Sequence, residues 1–544
     1  MGSIRPAESR RVAAQEAAAA DPVASVAQPT GAPREFEGSF LAGDAVIAFS
    51  LATAACLVHL LCSGRYGHFR DELYYIACGA RLAWGYVDQP PLIAIVARFS
   101  HWLLGDSLFA LRFFPALAAA AKILLTAWMV RELGGKHFAQ LLAGTAVFLA
   151  PIYLTFDSFL SMNAFEPVFW TLCAALAMRI GKEGNSRLWV LFGLIAGLGL
   201  LNKHSMLFFG FGMVLALLLT RQRRAFLSPW IWLGGLAAFL IFLPNLLWEI
   251  RYGWPTLEHL HNVALVKYAP VTPLQFILEQ ALLVHPLAAP ICLAGLYFFL
   301  RAKDGRPYRF LGWTYLLILA QLVILKGKIY FLAPVYPMLF AAGAVWIEQW
   351  VRLRNRNWMK PAILVPLAIG GLVAAPLALP VLPVEAMAAY SKFWNVGDIK
   401  VEKQPEGKLP QLWADMFGWE NQVATIARVY GSLPAEEQSR CALLAGNYGE
   451  AAAIDHFGRA YGLPKSISGS NNYYLWGPRN HSNEVVISVG VPMIRLQQIF
   501  GQIEQAALIV DEYAMPDESN LPVYICRKPK LTLQQAWPIL KLYE

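Results

Sequence analysis

The sequence predicts a polytopic α-helical membrane protein that carries a small extracytoplasmic α/β domain. Of its 544 residues, 57% are hydrophobic and only 15% are charged, which is far more apolar than a soluble protein of this length. Long apolar segments recur up to residue 383, and the composition then becomes that of a soluble domain. We therefore predict a disordered cytoplasmic tail at 1–40, a transmembrane core at 41–383 and an α/β domain at 384–544.

The net charge and the cysteines fit a membrane protein. The formal charge of +9 raises the question of nucleic-acid binding, but the basic residues stand in short clusters between apolar segments and not along one face. The seven cysteines are too few and too scattered for a disulfide framework. Most lie in or beside apolar segments, where cysteine packs as a small apolar residue.

The apolar segments predict about 11 transmembrane helices of roughly 20 residues each. The segment 188–220 is too long for one span, and Asn202-Lys203-His204 interrupts it, which predicts two short helices that meet at this polar turn. The predicted spans are 43–62, 107–130, 138–156, 164–180, two within 188–220, 227–248, 276–300, 310–325, 331–350 and 361–383.

The lysines and arginines between the spans predict the orientation. Alternate loops carry them, and all the basic loops fall on the side of the tail if 188–220 counts as two spans. We expect a cytoplasmic N-terminus in a plasma (inner) membrane of the bacterial type. The complementary loops and the domain after residue 384 are then extracytoplasmic. These loops hold nearly all the carboxylates, histidines and lone lysines that topology does not explain, so we expect the chemistry there.

The segment after residue 440 predicts alternating strands and helices. Strands are predicted to begin at Cys441, Val485, Ala506 and Val523. Helices are predicted at Glu450–Tyr461 and Pro492–Phe500. The turn Gly446-Asn-Tyr-Gly-Glu450 is compatible with an anion site at a helix N-terminus, but it lacks a phosphate-loop pattern, which favours an ordinary strand-to-helix turn.

Three carboxylates, Asp71, Glu72 and Asp88, stand in the loop between the first two spans. This loop, 63–106, is too long for a simple turn, which indicates structure or function of its own. Residues 70–85 predict an amphipathic helix along the membrane surface. Adjacent helical residues point about 100° apart. We therefore expect one member of the pair Asp71-Glu72 to act on substrate and the other to make a structural contact.

Other charged residues stand on the same predicted side. For Asp157 a functional role and an interface role are about equally favoured, and for Glu166 the interface role is favoured. Lys203 is predicted to balance the charge of a phosphate, with snorkelling to the interface as the alternative. The cluster Lys326-Gly-Lys328-Ile-Tyr330 repeats this pattern, and its tyrosine is able to hydrogen-bond phosphate or sugar. Arg112 and Lys122 are predicted as structural or lipid-headgroup contacts.

Three motifs in order resemble the polyprenyl-phosphate-sugar-dependent glycosyltransferases, which include protein O-mannosyltransferases and the aminoarabinose transferases that modify lipid A. They are Asp71-Glu-Leu-Tyr-Tyr75, Asp88-Gln-Pro-Pro91 and Arg112-Phe-Phe-Pro115, and the resemblance covers roughly residues 40–350. It implies a GT-C-like fold and a glycosyltransferase. The donor would be a polyprenyl-phosphate sugar, and the acceptor an extracytoplasmic hydroxyl of a lipid, glycan or protein.

The resemblance also implies a mechanism. Asp71 would be the base of an inverting single displacement, in which the lipid phosphate leaves without a general acid. The acceptor-binding residues predicted beside this base are Glu72, Tyr75, Asp88 and Asp157. The donor-binding residues predicted from their charge and position are Lys203, Lys326, Lys328 and Tyr330.

Metal binding is left open. In the aminoarabinose transferases a lysine stands between the acidic residue and the proline of the second motif, where this chain has Gln89. This departure calls a phosphate contact at the position into question and leaves Asp88 as a candidate ligand for a divalent metal. His259, His261 or His285 is a candidate nitrogen ligand, although none stands at diagnostic spacing. No other cofactor is predicted.

Two other functional classes compete with a transferase. A multi-span transporter is the stronger alternative, because intramembrane charges and broken helices also mark transport pathways. It predicts two related halves, whereas the sequence shows no internal repeat and gathers its polar groups on one side. A receptor or assembly module with a membrane anchor is the third class, for which eleven spans are excessive.

Overall fold

The computed structural model describes residues 34–266, 271–395, 407–479, 481 and 483–544. The predicted tail at 1–40 lies outside these residues, except that 34–40 form the start of the first helix. The helices of the first part are α1 (Arg34–Cys62), α2 (Arg70–Gly79), α3 (Leu92–Leu104), α4 (Leu108–Glu132), α5 (His137–Leu149), α6 (Pro151–Phe156), α7 (Met162–Glu183), α8 (Leu188–Asn202), α9 (Met206–Leu219), α10 (Pro229–Arg251), α11 (Pro255–Val266), α12 (Pro273–Leu283), α13 (Ala289–Leu300), α14 (Arg309–Ile324), α15 (Tyr336–Leu353), α16 (Met359–Ala378) and α17 (Val384–Phe393).

Seven helices in the described part of the chain are long and apolar enough to cross a membrane, or eight if the bent pair of α9 and the following 3₁₀-helix counts as one span. Four shorter apolar helices accompany them, namely α3, α5, α8 and α13. A polytopic α-helical membrane protein is therefore confirmed. Glycines allow the closest helix approaches: a Cβ on Gly193 of α8 would lie 1.9 Å from a backbone oxygen of α10, at Gly234.

The structure breaks some predicted spans and keeps others. The predicted break within 188–220 is present, because α8 ends at Asn202 and α9 begins at Met206. The prediction of one continuous helix over 276–300 is wrong. His285 has a φ of 78°, in the left-handed region, which ends the right-handed helix. The next residue is proline, which has no backbone N–H to continue the helical hydrogen bonds. The predicted span 138–156 is likewise divided, just before Pro151.

The amphipathic helix in the loop after α1 is shorter than predicted. It runs from Arg70 to Gly79 and not to residue 85. A tight turn follows, in which the backbones of Tyr86 and Gln89 exchange hydrogen bonds of 3.0 and 3.4 Å. The chain then enters α3 through two consecutive prolines, a residue type that suits the start of a helix. The turn holds Asp88 beside the surface of α2.

Beyond residue 410 the chain forms a five-stranded mixed sheet with order β2-β1-β3-β5-β4. The inner strands β1 and β3 are buried along their whole length and pair in parallel, and β5 joins β3 antiparallel. All four predicted strand starts fall within these strands. The elements are α18 (Gln411–Ala414), α19 (Trp419–Ser432), α20 (Ala435–Arg440), β1 (Cys441–Ala445), α21 (Tyr448–Phe457), β2 (Ile467–Ser468), α22 (Asn471–Trp476), β3 (Val485–Val489), α23 (Met493–Ile499), β4 (Phe500–Ile509), β5 (Leu521–Pro529) and α24 (Leu533–Leu540).

The two faces of the sheet have different partners. One face packs on α19 and α21 and shares a hydrophobic cluster with Leu73, Tyr75 and Cys78 of α2. The other face packs on α23 and α24, with Trp537 in that cluster. Because burial of apolar area is the main stabilising contribution in water, the shared cluster joins α2 to the sheet. The helix that carries Asp71 is therefore packed both against α3 and against the sheet and its helices α19 and α21.

Candidate active site

Asp71 and Asp88 lie on neighbouring elements, and each accepts a hydrogen bond from a tyrosine. Asp71 stands in the first turn of α2, and the hydroxyl of Tyr448 donates to its Oδ1 over 2.9 Å. Asp88 stands in the turn before α3, and the hydroxyl of Tyr74 donates to its Oδ1 over 3.1 Å. Both carboxylates are half-buried. The tyrosine contacts fix their orientation while part of each side chain stays accessible.

Tyr75 lies within electrostatic reach of several predicted site residues. Burial raises the pKa of its phenol well above the ordinary value, and Asp71, Asp88, Cys78 and Tyr330 raise it further. Residues from the motifs near 71, 88 and 330 therefore all act on the charge environment of this one phenol. Direct contacts join the first two motifs, because Tyr448 and Tyr74, the donors to Asp71 and Asp88, have their ring centres 4.9 Å apart.

Glu72 is fully buried and has protein donors on both oxygens. Arg112 binds it in a bidentate manner, over 3.0 Å to Oε1 and 2.8 Å to Oε2. The backbone nitrogen of Leu160 donates to Oε1 over 2.8 Å, and that of Phe69 donates to Oε2 over 2.9 Å. Burial raises the pKa of Glu72, but Arg112 outweighs it and holds the pKa below the usual range. The structure places Glu72 in a bracing position, in contrast to the predicted substrate contact.

Asp157 is also occupied by a protein cation. The ammonium group of Lys122 lies 2.5 and 2.6 Å from its two oxygens, and both side chains are buried. The same ammonium lies 4.7 Å from the ring centre of Tyr153. The predicted acceptor role of Asp157 thus meets a buried ion pair that joins α4 to the loop after α6.

Lys203 occupies the break between α8 and α9, where it reaches the first turn of α7. Its ammonium donates to Asn163 Oδ1 over 2.7 Å and to Glu166 Oε2 over 3.0 Å. The rings of Phe331 and Tyr330 lie 4.6 and 5.5 Å from it. The side chain keeps 14% of its surface exposed. Lys203 therefore stands next to Tyr330 of the predicted donor cluster.

The other residues of this break tie three elements together. Asn202 donates to the carbonyl of Met162 over 3.0 Å, and His204 shares a 3.0 Å hydrogen bond with Asn245 of α10. Asn245 in turn donates to the carbonyl of Trp84 over 2.8 Å. These contacts connect the break in the membrane helices to the loop that holds Asp88.

The cluster at 326–330 divides between surface and site. Lys326 is exposed, with a φ of 52°, at the end of α14. Lys328 lies 5.8 Å from the ring centre of Tyr330, whose ring also contacts Phe156 at 5.2 Å. Tyr330 is the member of the cluster that contacts both Lys203 and Lys328.

Comparisons with known proteins agree with this geometry. Residues 88–248 match the family model described as dolichyl-phosphate-mannose-protein mannosyltransferase. Lipid A galacturonosyltransferase RgtD of Rhizobium johnstonii is 27% identical over 273 residues, which cover 48% of this chain. The undecaprenyl phosphate-alpha-4-amino-4-deoxy-L-arabinose arabinosyl transferase of Edwardsiella ictaluri is 28% identical over 337 residues, which cover 54% of it. Each match spans 56% of the relative's own length.

The predicted family resemblance is confirmed. This chain resembles the polyprenyl-phosphate-sugar-dependent membrane glycosyltransferases. The crystal structure of ArnT from Cupriavidus metallidurans bound to undecaprenyl phosphate has the same overall fold, with a TM-score of 0.53 at 15% identity over 90% of this chain and 98% of that one. The GT-C-like fold extends over most of the described chain.

One departure from the aminoarabinose transferases has a structural counterpart. Gln89, which stands where those glycosyltransferases have lysine, is fully buried beneath the turn. Its amide nitrogen lies 3.8 Å from Cys78 Sγ, and its side-chain oxygen has no hydrogen-bond partner within the described chain. The side chain is therefore enclosed by protein at this position.

The candidate metal ligands do not come together. Across the described ranges, no three His, Cys, Asp or Glu side chains meet in a group that could hold a metal ion. His285 is buried and accepts a hydrogen bond from the backbone of Leu287, and His261 is exposed on α11. The described side chains around Asp88 thus do not fit a divalent metal held by protein ligands alone.

Sequence reasoning missed the residues that follow residue 410 in this site. Besides Tyr448, the structure brings Asp415, Glu450 and Glu518 around Arg70 of α2, with Arg70 2.7 Å from Asp415 and 3.6 Å from Glu518. The turn at 446–450 gave a partial signal. It is an ordinary capped turn, in which Asn447 and Glu450 form a capping box.

Proposed function

We propose that this protein is a glycosyltransferase that moves a sugar from a polyprenyl-phosphate donor to an extracytoplasmic hydroxyl. The observation that carries the proposal is that the contacting tyrosines Tyr448 and Tyr74 join Asp71 and Asp88, while the cation Lys203 lies beside Tyr330. Two half-buried carboxylates and a partly exposed cation are the groups that a base and a phosphate site require, which supports the proposal. The likeness to transferases that use such donors supports the same conclusion.

Asp71 acts as the base in this proposal. Its carboxylate accepts the proton of the acceptor hydroxyl while the hydroxyl oxygen forms a bond to the anomeric carbon of the sugar. The bond from that carbon to the phosphate oxygen breaks, and the polyprenyl phosphate leaves with the electron pair. Because a phosphate monoester is a stable leaving group, the step needs no general acid, and one displacement inverts the anomeric configuration.

The donor phosphate is assigned to the cations near the break between α8 and α9. Within the described chain, Lys203 donates two of its three ammonium hydrogens to Asn163 and Glu166. The third hydrogen can then be donated to a bound phosphate. Lys328 and the hydroxyl of Tyr330 complete the proposed donor site, with exposed Lys326 at its edge. Such preformed charge stabilises the leaving phosphate.

Acceptor contacts are assigned to Asp88 and Tyr75. Glu72 and Asp157 have buried protein partners, Arg112 and Lys122, so we assign them to bracing the site. A lipid is the first acceptor to test, since the names of two relatives specify lipid A and an arabinosyl transfer from undecaprenyl phosphate. Glycan and protein hydroxyls are the other candidates, and hexosyl and pentosyl donors both belong in the screen.

We also propose a plasma (inner) membrane of the bacterial type, with about 11 spans, a cytoplasmic N-terminus and an extracytoplasmic site. The alternation of basic loops supports this orientation. The described helices supply enough apolar segments, because the shorter α5, α8 and α13 and the bent pair that begins with α9 join the seven long ones. The sheet after residue 440 is then extracytoplasmic as well.

The decisive experiment is Asp71→Asn, assayed for sugar transfer from a polyprenyl-phosphate donor in membranes. We expect transfer to be abolished while expression and melting temperature are retained, because the amide cannot accept the proton. Asp106→Asn is the matched control, since that carboxylate is 64% exposed beside His101. Full transfer by the Asp71 variant would overturn the assignment.

A further inference from the structure

Two residues from the sheet-containing part of the chain reach the proposed reaction centre. Tyr448 is the first residue of α21, and Asn472 lies in α22. They are 377 and 398 residues from the side chains that they contact, Asp71 and Tyr74. These contacts form only when the sheet is docked on α2.

Tyr448 meets Asp71 as a hydrogen-bond donor. Asn447 caps α21, which fixes the helix start and directs Tyr448 towards α2. The ring packs on Tyr74 with 4.9 Å between ring centres, and its hydroxyl lies 2.9 Å from Asp71 Oδ1. Burial, and then Asp71, raise the pKa of Tyr448 well above its ordinary value, so the phenol keeps its proton. A neutral donor beside a carboxylate favours the charged form of that carboxylate.

Asn472 makes hydrogen bonds to two neighbours of the second carboxylate, Asp88. Its side-chain oxygen accepts a 2.7 Å hydrogen bond from the backbone nitrogen of Val87, next to Asp88. Its own backbone nitrogen donates over 3.2 Å to the hydroxyl of Tyr74, which donates to Asp88 Oδ1. Asn472 is 3% exposed. The turn and the tyrosine that hold Asp88 are therefore both held by one asparagine.

We propose that Tyr448 and Asn472 are positioning residues for the two carboxylates of the reaction centre. Tyr448 holds Asp71 in its charged, base-competent form, and Asn472 holds Asp88 at the acceptor site. This inference rests on the proposed transferase function and adds a role for the part of the chain beyond residue 440. That part completes the site and is more than an attached module.

The test of the first residue is Tyr448→Phe, which keeps the ring contact with Tyr74 and removes only the hydroxyl. A hydrogen bond to a charged group is worth about one pH unit or more in a carboxyl pKa. We expect the acid limb of the pH-rate profile to move up by about one pH unit and kcat near that limb to fall about tenfold. The matched control is Tyr430→Phe, whose hydroxyl donates to the carbonyl of Gln438 away from the site.

The second residue is tested by Asn472→Ala against Asn421→Ala, whose amide donates to the carbonyl of Val510 at the surface. We expect the Asn472 variant to raise KM for the acceptor several-fold while the pH limb set by Asp71 stays in place. The Asn421 variant should match the unaltered protein. A shift of the pH limb in Tyr448→Phe alone, together with a rise in acceptor KM in Asn472→Ala, would separate the two positioning roles from a general loss of packing.

The outcomes distinguish this inference from the proposed function. If Asp71→Asn stops transfer but Tyr448→Phe has the pH profile of Tyr430→Phe, the positioning role of Tyr448 is refuted and the function stands. If the unaltered protein transfers no sugar from polyprenyl-phosphate donors, the proposed function is refuted. The positioning role is then tested by measuring the carboxyl pKa of Asp71 with infrared spectroscopy. Subtracting the spectrum of Asp71→Asn isolates the signal of this carboxyl group. A carboxyl pKa unchanged by Tyr448→Phe would refute it.

Discussion

Neighbouring carboxylates in α2 have opposite environments. Glu72 is paired with Arg112, whose Nη1 also donates to the carbonyl of Ser63 and whose Nη2 also donates to that of Gly67, over 2.7 Å each. Asp71, one residue earlier, is half-buried and held by a neutral phenol. The helix period that separates the two side chains thus buries Glu72 in an ion pair and leaves Asp71 partly accessible.

Removing the Arg112 guanidinium should destabilise the protein strongly. Arg112→Leu leaves Glu72 buried without its cation, which typically costs about 3–5 kcal/mol. We expect a large drop in the melting temperature of the detergent-solubilised protein. Arg131→Leu, at the exposed end of the same helix α4, is the control and should change little. Equal melting of the two variants would contradict a bracing role for Arg112.

Lys203→Ala should chiefly weaken use of the donor. The variant loses a cation next to Tyr330, so we expect KM for the polyprenyl-phosphate sugar to rise about tenfold or more, with a smaller change in KM for the acceptor. Lys182→Ala, which removes an exposed pair with Glu132, serves as the control. An unchanged dependence of rate on donor concentration would move the phosphate site elsewhere.

The packing of α21 on α2 depends on a glycine. A Cβ on Gly449 would lie 2.7 Å from Cγ of Arg70 and 3.1 Å from Trp419. Both neighbours are buried, and the Arg70 guanidinium is held by Asp415. The two helices therefore approach each other closely only because this side chain is missing.

Gly449→Ala should loosen this helix pair. Overpacking of a buried contact costs about 1–3 kcal/mol, so we expect a lower melting temperature together with reduced sugar transfer. Gly431→Ala in α19 is the matched control, since no atom lies within 4 Å of its added Cβ. If both alanine variants melt alike, the close approach at residue 449 does not limit docking.

The stability of the whole protein should depend on pH through the carboxyl groups around Arg70. Asp415, Glu450 and Glu518 are buried around Arg70. Burial raises the pKa of Asp415 to about 7 and, with neighbouring carboxyls, raises those of Glu450 and Glu518 as well. Three carboxyl groups facing one guanidinium retain protons that the unfolded chain has lost.

Stability should therefore fall as pH rises from about 4 to about 7. In that range the folded state binds more protons than the unfolded state, so the stabilisation is complete below the unfolded pKa and is lost as pH passes the folded pKa. Melting temperatures across this range should show the decline. Glu518→Gln mimics the protonated form and should flatten the decline, whereas exposed Glu436→Gln should not. A melting temperature that rises with pH in both variants would contradict this account.

The features that the sequence predicted correctly are those set by neighbouring residues, and the features that it missed depend on contacts between distant residues. The break at Lys203 was predictable because polar residues interrupt an apolar run, and the strands because apolar clusters recur after residue 440. The partners of Glu72 and Asp71 lie 40 and 377 residues away, so no local pattern indicates them. The shortened helix α2 was also missed, since the turn that ends it is held by tertiary contacts.

The long separation between Asp71 and Tyr448 has a consequence for biosynthesis. Asp71 leaves the ribosome hundreds of residues before its hydrogen-bond donor, so during membrane insertion α2 lacks the sheet that covers it. The nascent protein then has its carboxylates without their orienting partners. If the proposed function holds, a reaction centre assembled in this order stays idle on incomplete chains, and activity begins only when the sheet has folded against α2.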